Sequence, residues 1–392
     1  MRREGDFIKV NKWLKPLSWC YGIGVGFRNQ LFDLGVLRSR SYDVPIISVG
    51  NITVGGSGKT PHVEFLVELL KNSYNVAVLS RGYKRKTSGF VLASNDTMML
   101  DIGDEPYQMK MKFPDVNVAV DENRRRGICK LISNKYVKDI DAIVMDDAYQ
   151  HRYVKPGINI LLIDYHRLII HDCLLPAGRL REPQEGKARA DMVIVTKCPR
   201  DLKPMEYRVI TKALNLFAYQ KLYFTTLDYA SPQPLFDAPP CELAELKDHH
   251  VLLLTGIALP EQMKADLLPY CKHIKQMKYR DHHQFTKKDV GHINKTFATM
   301  DADRKIIITT EKDAVRLHAT NGLSDEVRQN IYSLPINVVF MQDKEEEFNN
   351  KILDYVQKNS RNSILVKTKD DIKPKDSNNT GERPRRISFR DN

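Results

Sequence analysis

A glycine-rich segment ending in Gly-Lys-Thr contains the residue types of this chain best suited to chemistry. It follows an apolar run at 44–49 and precedes a helix-like apolar stretch that starts at Pro61. Backbone N–H groups in such a loop point at an anion, while the lysine and threonine reach outer phosphates and Mg²⁺. The segment predicts a nucleoside triphosphate site formed by Thr53, Val54, Gly55, Gly56, Ser57, Gly58, Lys59 and Thr60.

This loop departs from the usual pattern G-x-x-x-x-G-K-[ST], because Thr53 stands where the first glycine belongs. The glycines at 55, 56 and 58 still allow the backbone to approach a phosphate closely. A glycine turn between a strand and a helix, without any ligand, is the plainer alternative. Gly-Lys-Thr at the helix start favours the phosphate site.

Two acidic segments could complete such a site. Asp146 and Asp147 follow an apolar run at 142–145, so both would emerge at the carboxyl edge of a sheet, where a P-loop protein holds Mg²⁺. The pair could also cap the next helix, which is compatible with metal binding. Asp104 and Glu105 lie in a turn marked by glycine and proline, which presents either a general base or an ordinary solvated surface.

Histidines and arginines are further candidates. His282 and His283 form an Asp-His-His motif and could be metal ligands, general bases or polar surface, although no third ligand at zinc spacing follows them. A histidine of this motif could pair with Asp104 across a cleft. Basic clusters at 81–85, 124–126 and 179–181 could face an anionic substrate or a transferring phosphoryl group. Solvated surface is the alternative for each arginine.

The elements that position these residues alternate between strands and helices. This rhythm predicts an α/β fold: a P-loop NTPase domain with a mostly parallel sheet, plus a second, smaller α/β domain. Candidate strands lie at 46–49, 76–79, 116–120, 142–145, 158–163 and 192–195, and then at 251–257, 305–310 and 336–341. We expect an N-terminal membrane-associated helical segment at 1–43, the P-loop domain at 44–218, the smaller domain at 219–345, and a terminal helix with a disordered basic tail at 346–392.

The charge pattern suggests an acidic partner. The formal net charge is +12, and most of the excess lies in the first forty residues and in the tail from Lys358. Trp13 and Trp19 lie among basic residues near the N-terminus, as in an interfacial membrane anchor or in a helix packed on the core. Six scattered cysteines fit free thiols in a reducing cytoplasm.

In their order along the chain, the motifs resemble those of the tetraacyldisaccharide 4'-kinase family, the lipid A 4'-kinases of Gram-negative bacteria. The missing first glycine of the phosphate loop is itself a feature of that family. The resemblance covers about residues 10–345 and rests on Val-Gly-Asn-Ile-Thr-Val-Gly-Gly-Ser-Gly-Lys-Thr-Pro (49–61), Ser-Arg-Gly-Tyr (80–83), Gly-Asp-Glu-Pro (103–106), Asp-Asp-x-x-Gln-His (146–151), Leu-Pro-Ala-Gly-x-Leu-Arg-Glu-Pro (175–183), Asp-His-His (281–283) and Thr-Thr-Glu-Lys-Asp-Ala (309–314).

The resemblance implies an ATP- and Mg²⁺-dependent kinase that phosphorylates the 4'-hydroxyl of a tetraacyl glucosamine disaccharide 1-phosphate in lipid A biosynthesis. It implies a monomer on the cytoplasmic face of the inner membrane, attached peripherally, with a lipid and not a nucleic acid as partner. The implied roles are Lys59 and Thr60 for the phosphates and Mg²⁺, Asp146, Asp147 and Glu182 for the metal, Asp104 as base paired with His282, and Glu105, Arg124 and Arg181 for substrate or phosphate.

One departure from the family and two other functions need to be considered. The family pattern Asp-Asp-Gly-Phe-Gln-His has Ala148 and Tyr149 here, so we expect an ordinary backbone conformation at position 148. A GTP-binding switch would need N-K-x-D, but the nearest segment, 196–199, lacks the aspartate. A deviant-P-loop ATPase acting as a membrane-associated assembly or partition module is the other alternative, and it would leave the acidic loop and Asp-His-His idle.

Overall fold

Two sheets organise the chain in the computed structural model, which describes residues 10–257, 260–280, 283–301, 303–318 and 320–370. Within these residues, the larger sheet has nine strands and the smaller sheet has five. The strands are β1 (Ile46–Gly50), β2 (Val76–Ser80), β3 (Val91–Leu92), β4 (Asn117–Val120), β5 (Ala142–Asp146), β6 (Ile158–Asp164), β7 (Met192–Thr196), β8 (Lys221–Tyr229), β9 (Gln233–Pro234), β10 (His250–Thr255), β11 (His273–Lys278), β12 (Lys305–Thr310), β13 (Ile331–Leu334) and β14 (Ile336–Phe340).

Helices connect these strands, as a βαβ chain requires. They are α1 (Lys15–Asp33), α2 (Lys59–Lys71), α3 (Met99–Ile102), α4 (Asp104–Lys112), α5 (Arg124–Leu131), α6 (Pro204–Leu214), α7 (Pro260–Leu267), α8 (Lys287–Ala298), α9 (Glu311–His318), α10 (Asp325–Arg328) and α11 (Glu345–Asp370). The predicted α/β class is confirmed, and the candidate strands agree with the observed ones to within one or two residues.

The larger sheet has the order β14-β8-β7-β6-β1-β5-β2-β4-β3 and is parallel except at its two ends. Its central strand β1 lies between β5 and β6, with Val49 opposite Asp146. Because parallel strands all end at the same edge, the loop after β1 and the acids after β5 meet there. This topology positions the candidate site.

The structure places β8 and β14 in the larger sheet, whereas the expected division at residue 219 put both in the smaller domain. β8 pairs with β7 in parallel, and β14 pairs with β8 antiparallel. A strand–helix rhythm cannot show which sheet a strand joins, because the same alternation fits either one. The five-stranded sheet is therefore inserted between β8 and β14, and the chain leaves and returns side by side, with Ala230 N donating to Pro335 O at 3.1 Å.

Helix α11 belongs to the core of the larger sheet. Phe348, Ile352 and Val356 are buried on it and join the cluster that covers this sheet beside α2. The Tyr355 hydroxyl accepts a hydrogen bond from Ile46 N at 3.1 Å, which links the helix to β1. The helix runs past Lys358 to Asp370, and the rest of the expected disordered tail, 371–392, lies outside the described residues.

Helix α1 packs one side on the part of the chain built around the nine-stranded sheet, here called the larger unit, and exposes its other side. The Ser18 hydroxyl accepts from Ala177 N at 2.9 Å, and the Tyr21 hydroxyl donates to Arg181 O at 2.8 Å. Just before and on the helix, Trp13 is 93% exposed and Trp19 is 73% exposed. The buried face agrees with a helix packed on the core, whereas membrane association of the exposed face stays a prediction. In the described part of the chain, no helix has the length and apolar content needed to cross a bilayer.

Replacing Phe348 with alanine is expected to lower the free energy of unfolding by about 3–5 kcal/mol, the usual cost of emptying an aromatic site in a core. Its ring lies 4.6 Å from that of Phe340 and 5.3 Å from that of Tyr223. Chemical denaturation of the purified variant measures the change. Val339→Ala, at a half-exposed position on β14, is the control and should cost far less. Equal losses in the two variants would mean that α11 is not part of the core.

Candidate active site

The phosphate loop takes its shape from two left-handed glycines and from its neighbours. Gly55 has φ 120° and Gly58 has φ 79°, a region that other residues rarely adopt. Thr53, in the place of the first Walker glycine, instead forms a β-bridge with Leu180, and such extended backbone suits any residue. Val54 N also donates to Arg179 O at 2.7 Å. The segment around residue 180 therefore supports the loop where a glycine would otherwise shape it.

Asn51 closes the loop from inside. Its buried amide donates to the Ser57 hydroxyl at 2.8 Å, and its carbonyl oxygen lies 3.5 Å from Lys59 Nζ. Lys59 begins α2, and the buried Thr60 follows it in the first turn. Both expected phosphate ligands therefore stand at a helix N-terminus, the position that favours anions. Asn51 was not predicted from the sequence, because nothing in its residue type indicates a residue that braces a loop.

The acid pair after β5 lies beside Lys59. Lys59 Nζ is 3.6 Å from Asp147 Oδ1, and Arg181 Nη1 is 3.2 Å from the same oxygen. Burial alone would raise the pKa of Asp147, but the charges of Lys59 and Arg181 hold it below its usual value. Asp147 has φ 46°, so the left-handed residue of this turn is the aspartate. Ala148 does not have a positive φ, as expected.

Asp146 is the more deeply placed acid. Burial, followed by the charge of Asp147, raises its pKa to about 6. Its Oδ2 accepts from the Ser80 hydroxyl at 3.2 Å, whereas its buried Oδ1 has no hydrogen-bond partner among the described residues. A buried carboxylate oxygen without a partner is costly, and a cation would satisfy it. The donor set therefore fits a divalent metal at this edge of the sheet.

The metal that fits is one that retains outside ligands. Within the described ranges, no group of three or more His, Cys, Asp and Glu side chains forms a complete cage. Mg²⁺ is typically held by one or two carboxylates together with water and substrate phosphates. Asp146, Asp147 and Thr60 could hold such an ion, and ATP phosphates would supply the rest of its ligands.

Glu182 has another set of contacts. Its Oε1 accepts from Gln150 Nε2 at 3.0 Å, and its Oε2 accepts from Arg189 Nη2 at 2.7 Å. Gln150 Nε2 also donates to Asn51 O at 2.7 Å. In this arrangement Glu182 braces the loop that carries Arg181, and its expected metal role stays a prediction.

Arg124 is almost fully buried and supports the acid turn from below. Its guanidinium donates to Asp121 O at 2.6 Å and to Asp146 O at 3.0 Å. Burial lowers its pKa to about 10, with the charges of Asp146 and Asp147 acting in the opposite direction. It therefore fixes the end of β5, and its expected contact with substrate or phosphate stays a prediction.

The second acidic segment faces the part of the chain built around the five-stranded sheet, here called the smaller unit. Asp104 and Glu105 begin α4, where they pair with Arg316 at 2.6 Å and Lys312 at 2.9 Å from α9. The charge of Glu105 also contributes to raising the pKa of Asp146, so the two acidic segments are close enough to interact. His282, the expected partner of Asp104, lies outside the described residues.

Comparison with known proteins identifies the family. The family model described as tetraacyldisaccharide-1-P 4'-kinase matches residues 10–357. The chain belongs to this family. It is 57% identical to the tetraacyldisaccharide 4'-kinase of Phocaeicola vulgatus over 362 residues, covering 92% of this chain and 99% of that one. It is 50% identical to the enzyme of the same name from Bacteroides thetaiotaomicron over 369 residues, covering 92% and 97%.

A solved structure agrees with this assignment. LpxK from Aquifex aeolicus, crystallised in complex with ATP, superposes with a TM-score of 0.69 at 29% identity, covering 88% of this chain and 99% of that one. That match, together with the mostly parallel larger sheet and its phosphate loop, confirms the predicted P-loop fold of this kinase family member. The partition-module alternative is not favoured, because curated kinases match nearly the whole chain.

Lys197 contacts the phosphate loop, although its sequence segment, 196–199, pointed only to an incomplete guanine-binding motif. It follows β7 with φ 58°, and its ammonium donates to Gly56 O and pairs with Asp164 at 2.7 Å. Thr196, just before it, donates from its hydroxyl to Ser57 O at 3.0 Å. In this kinase family member, the end of β7 and the residue after it thus hold the phosphate loop at Gly56 and Ser57, whereas Arg179 holds it at Val54.

His62 lies beneath the same loop as a neutral ring. Its Nδ1 donates to Gly58 O at 2.8 Å, so its Nε2 accepts from the Thr225 hydroxyl at 3.1 Å. Burial, reinforced by the charge of Lys197, lowers its pKa to about 4. Protonation would remove the acceptor that Thr225 uses. The hydrogen bonds that join the phosphate loop at Gly58 to Thr225 through His62 therefore require a neutral histidine.

We expect stability to fall between pH 6.5 and 4, because the unfolded chain binds a proton at His62 in this window and the folded chain excludes it. At pH 5 this one group should cost about 2 kcal/mol relative to pH 7. Urea unfolding at the two pH values measures the loss. His62→Gln should show a correspondingly smaller difference, since other groups contribute to both proteins alike. The same pH dependence in both proteins would contradict a buried neutral His62.

Proposed function

We propose that this chain transfers the γ-phosphoryl group of ATP to the 4'-hydroxyl of a tetraacyl glucosamine disaccharide 1-phosphate, a step of lipid A biosynthesis. One observation carries the proposal. The Lys59–Asp147–Arg181 cluster of a P-loop lies at the same sheet edge as the Asp104–Glu105 segment, in a chain of the tetraacyldisaccharide 4'-kinase family. The first cluster suits a triphosphate, and the second suits a hydroxyl acceptor.

The phosphate loop would bind and orient ATP. Backbone N–H groups from Gly55 to Lys59 and the start of α2 would surround the phosphates, and Lys59 would balance charge on the γ-phosphoryl oxygens. Arg181 pairs with the same Asp147 oxygen as Lys59 does. It would therefore add a second cation near the γ-phosphoryl oxygens. In a loose transition state, such positioning and charge neutralisation supply most of the rate.

Asp146, Asp147 and Thr60 would hold Mg²⁺, which would supply positive charge to neutralise the ATP phosphates. The raised pKa of Asp146, to about 6, still leaves its carboxylate mostly ionised at neutral pH. Lys59 and Arg181 keep the Asp147 carboxylate charged as well. These residues thus present two anionic ligands despite their adjacency.

Asp104 would accept the proton of the sugar hydroxyl. It begins α4, one residue after Gly103, whose φ of 92° requires glycine. This turn fixes the carboxylate at the helix start, where the dipole favours its ionised form. His282 would be its partner, as the family motif implies.

Membrane attachment would bring the lipid to this site. The exposed face of α1 and the residues around it include Trp13, Leu17, Trp19, Ile23 and Phe27, each more than half exposed. Aromatic rings at this density suit the headgroup region, and nearby lysines suit anionic lipid. We propose peripheral docking of this face on the cytoplasmic side of the inner membrane.

Lys59→Ala and Asp104→Ala should each reduce lipid phosphorylation by at least about 100-fold, since each removes a group that acts on the reacting atoms. The assay follows label from γ-labelled ATP into detergent-solubilised tetraacyl disaccharide 1-phosphate, with Mg²⁺ present. Phe217→Ala, an exposed aromatic away from the loop, is the control. Near-normal turnover by Asp104→Ala would remove it as the base but leave the kinase. ATP hydrolysis by the wild type without labelled lipid would contradict the proposed function.

The double substitution Trp13→Ser and Trp19→Ser should weaken binding to anionic phospholipid vesicles by about tenfold or more per tryptophan, because each ring loses apolar burial at the interface. Co-sedimentation with vesicles measures the partition coefficient. Phe217→Ser, which removes an exposed ring elsewhere, should bind like the wild type. Unchanged binding of the double variant would rule out the docking face proposed here.

A further inference from the structure

Arg316 makes the closest described contact of the smaller unit with the proposed base. It lies on α9, is only 2% exposed, and reaches across to the start of α4. Its Nη2 donates to Asp104 Oδ2 at 2.6 Å, and its Nε donates to the same oxygen at 3.2 Å. Two donors from one planar group on one oxygen fix both the position of the carboxylate and the approach of the arginine.

The arginine is itself fixed from behind. Its Nη1 donates to Asp313 Oδ1 at 2.9 Å, and Asp313 is fully buried. The other oxygen of Asp313 accepts from Gly256 N and from the Thr310 hydroxyl, both at 2.8 Å. Gly256 follows β10 and Thr310 ends β12, so the guanidinium is anchored to the smaller sheet. Its orientation toward Asp104 is thus set by a rigid support.

We infer that Arg316 is a positioning residue for phosphoryl transfer, which holds the Asp104 carboxylate ionised and aimed from the opposite unit. This inference rests on the proposed function, because it assigns the arginine a task only if Asp104 acts on a hydroxyl. In a loose transition state, proton transfer from the attacking hydroxyl has made little progress. The position of the accepting carboxylate therefore matters more than its strength as a base. A cation that fixes the carboxylate therefore helps, even though it weakens the base.

Other charged groups near Asp104 must be considered with Arg316. Glu105 is its neighbour on α4, and Lys312 from α9 pairs with Glu105 at 2.9 Å. Asp313 forms a second ion pair with Arg316, at Nη1. Of these groups, only Arg316 and Lys312 are cationic, and Lys312 pairs with Glu105. Removing Arg316 should therefore change the charge felt by Asp104 more than removing Lys312 does.

The test compares Arg316→Met with Arg316→Lys and with Lys305→Met in the lipid phosphorylation assay. Lys305 pairs with Glu326 at 2.8 Å elsewhere in the smaller unit and serves as the matched control. Because Arg316→Met leaves Asp313 buried without its cation, the double variant Arg316→Met, Asp313→Asn is included to keep the unit folded. For each protein we would measure kcat, KM for ATP, the pH profile of kcat/KM and thermal unfolding.

We expect Arg316→Met, or the double variant, to lose about 100-fold in kcat with little change in KM for ATP. The acid limb of the kcat/KM pH profile should shift to higher pH by about one unit. An adjacent arginine favours the charged carboxylate, and the variant has lost that arginine. Arg316→Lys should recover part of the rate and most of the profile. Folded Arg316 variants with the wild-type limb, or with a kcat loss no larger than that of Lys305→Met, would overturn the inference while leaving the kinase intact. A wild type without lipid phosphorylation would overturn both.

Discussion

Charge balance at the end of β5 is the constraint on which the site depends. Adjacent carboxylates at Asp146 and Asp147 repel one another, and burial increases the cost. Lys59 and Arg181 neutralise the outer acid, while Arg124 binds the backbone of the inner one. Lys59 lies at the end of the phosphate loop, and Arg124 lies on α5. Arg181 follows Leu180, the residue that pairs with the loop at Thr53. The acids, the loop and the arginine segment therefore stabilise one another and form a single unit.

The backbone around the phosphate loop shows why this chain needs no glycine at position 53. In an ordinary P-loop the first glycine lets the chain turn tightly. Here the chain stays extended at Thr53 and is paired with Leu180, so the tight turn falls later, at Gly55 and Gly58. The supporting segment is in turn held by α1 through Ser18. The proposed membrane-facing helix and the nucleotide loop thus share one intermediate segment.

Local patterns were enough to predict the α/β class, the strands of the larger sheet other than β3 and β8, and the loop with its acid pair, because each depends on residues close in sequence. The sheet membership of β14 was not predictable, since it depends on pairing with β8 more than a hundred residues away, and β8 was not among the candidate strands. Asn51, Lys197 and Arg316 were also missed, although Asn51 contacts Ser57 only 6 positions away, whereas the contacts of Lys197 with Gly56 and of Arg316 with Asp104 span 141 and 212 positions. Each acts through a contact that no spacing along the chain reveals, and a buried arginine has the same letter as a solvated one.

The side-by-side crossing between the two sheets determines how they can move. Both covalent links pass at one place, where Ala230 is hydrogen-bonded to Pro335, and both continue into the antiparallel pair of β8 and β14. A single link would act as a swivel. Two links joined in this way restrain rotation of one sheet relative to the other more than one link would. They therefore help to keep α9 aligned with α4, where Arg316 contacts Asp104.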